Sequence, residues 1–322
     1  MKTAPAKVAG RNLFFHYPFR RAFFMAIFAL LIFFYPGNSY YFKLFAAHPQ
    51  LVTVNDPVSY EYTPHAVPFV RPGFIDPVVS AEGVYIVELD SGTPLFDKNS
   101  HRKLLPASTA KVLTALTAVD AFTMEKVLKV KKLTDVGQLM GLVQGEEITL
   151  ENLLYGALVQ SGNDAAYVIA DNYPGGVEEF MKAVNQKAAN LHMKDSQFQN
   201  PAGLDAFDQY STAFDMSLAG RALLNHPELA KIVSTKSITV SDINYTYFHP
   251  LTNVNKLLGE IPGVAGLKTG QTELAGQNLI TYYKKGDKKF MIVLLKSLDR
   301  FVDTSAIVTW IDASVDFEYP AQ

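Results

Sequence analysis

Ser108 and Lys111 stand three residues apart in Leu105-Pro106-Ala107-Ser108-Thr109-Ala110-Lys111, at the head of the apolar stretch Val112-Leu113-Thr114-Ala115-Leu116. On a helix this spacing puts both on one face, with the amine in reach of the hydroxyl. A serine hydroxyl becomes a nucleophile only when a neighbour takes its proton, and a lysine can do so if burial lowers its pKa. The unpaired N–H groups of a helix's first turn carry partial positive charge, which suits a developing oxyanion. A Ser-x-x-Lys arises by chance about once in a chain of this length. The pair therefore takes its meaning from the rest of the chain.

Two further clusters carry chemistry. Ser161-Gly162-Asn163 joins a hydroxyl, a flexible residue and an amide at a break between helical stretches, a place from which side chains project into a cleft. Lys268-Thr269-Gly270 places a cation and a hydroxyl on a strand, followed by a glycine that lets a ligand lie against the backbone. That combination suits a carboxylate. Metal and cofactor chemistry is not expected. The chain has no cysteine, His192, His226 and His249 are isolated, and no phosphate loop or dinucleotide fingerprint appears.

The elements that must hold these residues follow from periodicity. Gly83–Leu89 is β-rich, Asp90-Ser91-Gly92 is a turn, and Thr93–Asp97 returns as a hairpin. From Ala107 to about Phe122 the pattern is helical and apolar nearly all round, which predicts a buried central helix. Thr149 is a candidate N-cap for the next helix, and helical stretches follow over Asp164–Asn172, Val177–Leu191, Thr212–Leu224 and Pro227–Val233. Strand signals return at Ile238–Val240, Gly266–Gly270, Gln277–Tyr283 and Phe290–Leu295, and Ser305–Phe317 closes the chain as an amphipathic helix. Strands at both ends of a helical middle imply a mixed α/β (α+β) fold. Its single, mostly antiparallel sheet is built from both ends of the domain, with helices on both faces and a helical subdomain.

The 322 residues are 48% hydrophobic and 19% charged, enough for a sizeable core. A net charge of −2 and the lack of a basic stripe argue against nucleic acid as a partner. Lys2, Lys7, Arg11, Arg20 and Arg21 precede an uncharged run from Ala22 to Tyr35, the pattern of an export signal. The Gly37-Asn38-Ser39 stretch offers cleavage after about Ser39. Apolar sequence continuing toward residue 45 would instead serve as a membrane anchor. Residues 1–47 are thus read as a basic N-terminus with a signal or transmembrane segment, and the proline-rich residues 48–79 as an extended extracytoplasmic linker. Residues 80–318 are read as the catalytic domain, with 319–322 as a tail and no second C-terminal domain.

The order Ser-x-x-Lys, Ser-x-Asn, Lys-Thr-Gly resembles the serine penicillin-binding and β-lactamase superfamily. More closely, Pro106–Lys111, Ser161-Gly162-Asn163-Asp164-Ala165, Asn200-Pro201-x-Gly203-Leu204 and Gly266-Leu267-Lys268-Thr269-Gly270-x-Thr272 look like the D-alanyl-D-alanine carboxypeptidase family, over roughly Val79 to Phe317. The resemblance implies a β-lactamase/DD-peptidase-like fold in the cell envelope and a peptidoglycan stem peptide as substrate, with β-lactams as covalent inhibitors. By that likeness Ser108 is acylated by the carbonyl of the penultimate D-alanine, releasing the terminal one. Lys111 is then the acylation base and Ser161 a proton relay, while Asn163 holds the substrate amide and the lysine. Lys268, Thr269 and Thr272 bind the terminal carboxylate beside Gly270, and the backbone N–H groups of Ser108 and Gln271 form the oxyanion hole. Gln271 departs from the aromatic or histidine that many relatives carry. A charged Lys268 packed near Lys111 is expected to help lower the amine's pKa.

Three rivals share parts of this pattern. A class A-type β-lactamase adds a Glu-x-x-x-Asn loop. Between Asn163 and Lys268 there is no convincing one, since Glu178 and Glu179 have Lys182 and Ala183 at the fourth position. A DD-endopeptidase acting on cross-links uses the same constellation. A non-catalytic cell-wall-binding protein predicts damaged motifs, whereas all three are intact.

Overall fold

The computed structural model describes residues 17–33 and 66–319. The Gly37-Asn38-Ser39 stretch, the apolar run beyond residue 33 and the linker up to residue 65 lie outside the described residues. The chain divides into two compact units, Met1–Thr63 and Pro64–Gln322. In the first, α1 (Tyr17–Phe33) has no acidic residue in its first turn, and Arg21 to Leu31 are exposed. No helix among the described residues is long and apolar enough to cross a membrane.

The second unit begins with β1 (Val67–Val70), then the hairpin β2 (Gly83–Glu88) and β3 (Pro94–Lys98). A 3-10 turn at Ala107–Ala110 leads into α2 (Lys111–Ala121), whose first eight residues are all buried. Short strands β4 (Val127–Lys129) and β5 (Glu147–Thr149) pair and deliver the chain to α3 (Leu150–Leu158). The Thr149 side chain caps α3 by accepting from Asn152 N. α4 (Asn163–Asn172), α5 (Gly176–Asn190), α6 (Ala213–Leu224) and α7 (Pro227–Val233) complete the helical middle. The hairpin β6 (Ser237–Ser241) and β7 (Phe248–Thr252) precedes the long strands β8 (Val264–Thr272), β9 (Gly276–Lys285) and β10 (Lys288–Ser297). α8 (Arg300–Ser314) and β11 (Val315–Glu318) close the unit.

The main sheet has the order β3-β2-β10-β9-β8 and is antiparallel throughout, so it is built from both ends of the domain as expected. β2 lies in the sheet interior and is buried at all six positions, hence its Val-Tyr-Ile-Val run without polar alternation. Successive side chains still divide between two cores. Val84, Ile86, Ile292 and Leu294 pack toward Ile307, Trp310 and Ile311 of α8. Tyr85, Val87, Met291 and Val293 pack toward α2, α6 and the helical middle. The sheet is therefore covered on both faces.

Two boundaries differ from the sequence reading. The closing helix starts at Arg300 rather than Ser305, because the Asp299 carboxylate caps it by accepting from Phe301 N and Val302 N. It ends at Ser314, since Val315–Glu318 pairs antiparallel with Val67–Val70. Part of the proline-rich stretch is thus a strand. Arg71 N donates to Ser314 O (2.8 Å) and Trp310 Nε1 to Ile75 O (3.0 Å), fixing residues 67–75 against the end of α8.

Candidate active site

Ser108 lies on the 3-10 turn rather than within the α-helix, and Ala107 before it has φ +48°, a left-handed conformation costly for a residue with a side chain. Packing holds it there. Thr109 Oγ1 donates to Pro106 O (2.6 Å), and the buried Asn278 of β9 donates from Nδ2 to Leu105 O (2.8 Å). A Cβ on Gly270 would lie 3.0 Å from both Pro106 O and Thr109 N, so β8 can run this close only with glycine there. Gly203, at φ +77°, approaches from the other side: a Cβ there would collide with the Ala107 carbonyl.

Lys111 opens α2 with a fully buried side chain. Its Nζ donates to Ser108 Oγ (2.8 Å), Asn163 Oδ1 (2.7 Å) and Ala202 O (2.8 Å). Three acceptors match the three protons of an ammonium. When the amine is neutral it keeps two protons. Ala202 O and Asn163 Oδ1 can only accept, and Asn163 Nδ2 is turned away, donating to Val136 O (2.8 Å). The lone pair is then left facing Ser108 Oγ, the one partner that has a proton to give. Burial pushes the Lys111 pKa down to about 7, against an upward pull from the Asp164 carboxylate. That value suits a general base near neutral pH.

Lys268, on β8, is also buried, and its Nζ donates to Ser161 Oγ (2.8 Å) and Thr269 O (2.9 Å). Burial holds its pKa well below the usual lysine range, helped by the charges of Lys111 and Arg300. Burial is the leading cause of the shift at both lysines, and the charge of each disfavours charging the other. Ser161 is at φ +65°, just before Gly162 and the first turn of α4, and is buried. Asp164 fixes the adjoining wall, its carboxylate accepting from the backbone N–H groups of Met140, Gly141, Leu142 and Ala165.

These groups meet in a cleft of about 380 Å³. Ser108, Ser161, Asn163, Thr269, Gly270, Gln271 and Thr272 all line it, while Lys111 and Lys268 stand behind and reach it through Ser108 and Ser161. Thr272 Oγ1 donates to Asp205 Oδ1 (2.7 Å), so its proton is held by the opposite rim. The Gln271 amide oxygen accepts from Arg300 Nη1 (3.2 Å).

Arg300 lines the cleft and sequence reasoning missed it. It is the first residue of α8, and Nη1 also donates to Gly270 O (3.0 Å), while its buried Nε has no hydrogen-bond partner among the described residues. The Ala202 carbonyl was likewise missed as a partner of both Ser108 and Lys111. Its only signal was the Asn200-Pro201-Ala202-Gly203 turn.

Comparison with known proteins agrees with this geometry. A family model described as D-alanyl-D-alanine carboxypeptidase matches residues 74–298. The D-alanyl-D-alanine carboxypeptidase DacF of Bacillus subtilis is 34% identical over 221 residues, covering 66% of this chain and 57% of that protein. A D-alanyl-D-alanine endopeptidase of Escherichia coli is 28% identical over 254 residues, 76% of this chain and 81% of that protein. The Streptomyces K15 DD-transpeptidase has a similar structure, with a TM-score of 0.71 at 26% identity, covering 74% of this chain and 100% of that one. The chain spans about three fifths of the length of the curated carboxypeptidases it matches, 57% of one and 62% of another. The expected DD-peptidase-like fold is the one found, and the chain belongs to the D-alanyl-D-alanine carboxypeptidase family.

Proposed function

We propose that the protein is a serine D-Ala-D-Ala carboxypeptidase that trims the terminal D-alanine from peptidoglycan stem peptides through an acyl-enzyme. The observation that carries this reading is the neutral-range amine of Lys111 aimed at Ser108 Oγ from 2.8 Å. Ser108 Oγ attacks the carbonyl carbon of the penultimate D-alanine while its proton passes to Lys111. The tetrahedral oxyanion points to the backbone N–H groups of Ser108 and Gln271. As the C–N bond breaks, Ser161 relays a proton to the leaving amine, and water then attacks the ester to release the shortened peptide. Asn163 holds the substrate amide as well as the lysine.

Lys268, Thr269 and Thr272 take the terminal carboxylate, with Gly270 allowing its close approach. Arg300 adds a second cation at that end. A carboxylate arriving beside Lys268 favours its ammonium form, offsetting the cost of burial. β-Lactams acylate the same serine.

The catalytic unit is exported, held by the N-terminal apolar segment or released after about Ser39. The support for export is the basic N-terminus ahead of that run.

Labelled penicillin and a D-Ala-D-Ala peptide test the reading together. Wild type should be labelled and should release D-alanine, and Ser108→Ala should do neither. Labelling of Ser108→Ala means another nucleophile. Penicillin turnover faster than about one per second would favour a β-lactamase. Against that rival, Glu178 and Glu179 sit on exposed turns of α5, paired with Lys182, and neither lines the cleft. The endopeptidase reading is kept because a relative matched over 81% of its own length carries that name. Cleavage of cross-linked muropeptides faster than of uncross-linked pentapeptides would favour it.

A further inference from the structure

Two turns meet across one end of the cleft. On one wall β8 carries Lys268 to Thr272 and ends there, and on the other the turn from Asn200 to Asp205 brings Gly203 and Leu204 to the cleft. Thr272 Oγ1 donates to Asp205 Oδ1 (2.7 Å), so the walls are joined side chain to side chain. Both partners are braced. Thr272 Oγ1 accepts from Ala275 N (3.0 Å), which fixes the hydroxyl in the turn between β8 and β9. The Asn200 side chain grips the facing turn, Oδ1 accepting from Leu204 N (2.9 Å) and Nδ2 donating to Leu204 O (2.8 Å). Gln209 Nε2 donates to the same carbonyl (2.6 Å), so a tightly held turn presents Asp205.

The distance of this contact from the nucleophile follows from the strand. Gly270 packs against the turn that carries Ser108, and Thr272 lies two residues further along β8, about 6–7 Å away. One extended residue spans roughly 3.3–3.6 Å, and a carboxylate oxygen needs about 3 Å more to its neighbour. One residue beyond the scissile bond therefore fills the space. A hydroxyl has a single proton, and that of Thr272 is already on Asp205. While the contact is closed, the terminal carboxylate has Lys268, Arg300 and the Thr269 hydroxyl, and Thr272 reaches it only by giving up Asp205.

We propose that the contact between Asp205 and Thr272 is a strap that limits the leaving group to one small residue, which makes Asp205 a specificity-determining residue. The inference rests on the carboxypeptidase reading and deepens it. A terminal alanine fits inside the strap. A leaving residue with a long side chain, such as one within a cross-link, must break the hydrogen bond or push the Asn200 turn aside. Asp205 itself takes no part in bond making or breaking.

The test uses the full chain and two synthetic peptides that differ only in the last residue, D-alanyl-D-alanine against D-alanyl-D-norleucine, whose side chain is long and uncharged. Wild type should prefer the alanine peptide by about tenfold or more in kcat/KM. Asp205→Ala, with nothing to close the strap, should lower that ratio at least fivefold, whereas Asp205→Asn, which still accepts from Thr272, should keep it. The ratio does not depend on the fraction of active enzyme, so partial misfolding of a variant leaves the result readable. A smaller preference in wild type, or a smaller change in Asp205→Ala, overturns the strap. An equal loss in Asp205→Ala and Asp205→Asn overturns it as well, because charge rather than closure would then set the preference. If wild type hydrolyses neither peptide, the carboxypeptidase reading fails instead. Calorimetric binding of both peptides to Ser108→Ala and to Ser108→Ala/Asp205→Ala still decides the strap: a preference for the alanine peptide that Asp205→Ala removes supports it, and equal affinities or a retained preference overturn it.

Discussion

Asn163 Oδ1 lies 2.7 Å from Lys111 Nζ, and the other end of the same amide is fixed on Val136 O. Position 163 therefore sets both where the lysine lone pair points and which charge it feels. Asn163→Asp would place a carboxylate against the amine, stabilise the ammonium and move the rise of acylation with pH to higher pH. Asp164→Asn removes the charge that pulls the Lys111 pKa upward, so the rise should move to lower pH. Stopped-flow acylation by a chromogenic β-lactam across pH checks both. Shifts in the same direction would mean that Lys111 is not the group titrating.

Lys268 and Arg300 put an amine, which an arriving carboxylate turns to its ammonium form, and a guanidinium at the β8 end of the cleft. A hydrogen bond between charged groups contributes about 1.5–3 kcal/mol. Lys268→Gln and Arg300→Gln should each lower kcat/KM for a peptide ending in a free carboxylate by roughly ten- to hundredfold. The same peptide as its C-terminal amide should be nearly indifferent to either change. Equal losses on acid and amide would show that these residues hold the fold rather than the carboxylate.

Gly203 sits at φ +77°, where a Cβ would run into Ala107 O. Gly203→Ala adds left-handed strain and a backbone collision, and should cost about 2 kcal/mol or more in urea denaturation. Because the strained turn carries both Ala202 O and the support of Ala107, acylation should fall with stability. A stable, fully active Gly203→Ala would show that the turn yields without disturbing Ser108.

The pairings inside each motif were legible because their chemistry is local. Ser108 reaches Lys111 within one turn, and Lys268-Thr269-Gly270 occupies one strand. The sheet was legible too, since β2, β9 and β10 are long β-branched or aromatic runs. Contacts across long sequence gaps were not. Asn278 supports Leu105 across 173 residues, and Arg300 reaches Gly270 across 30, with no periodicity or spacing to announce either. The helix reading of residues 107–111 overlooked the positive φ of Ala107, because alanine gives no sign of a left-handed bend. β11 was absorbed into the closing helix. Val315 and Phe317 suit either period, and the partner strand lay in a stretch read as unfolded.

The pH dependence of acylation measures the central claim, that a buried Lys111 is neutral near physiological pH and takes the proton of Ser108. The Lys111 pKa is depressed to about 7, so the base form is scarce below that pH and dominant above it. The second-order rate of acylation by penicillin should rise about tenfold between pH 6 and pH 8 with one ionisation near 7. Lys111→Arg, fixed as a cation, should acylate at least a hundredfold more slowly with no such rise. A wild-type profile flat from pH 5 to 9 would contradict the account.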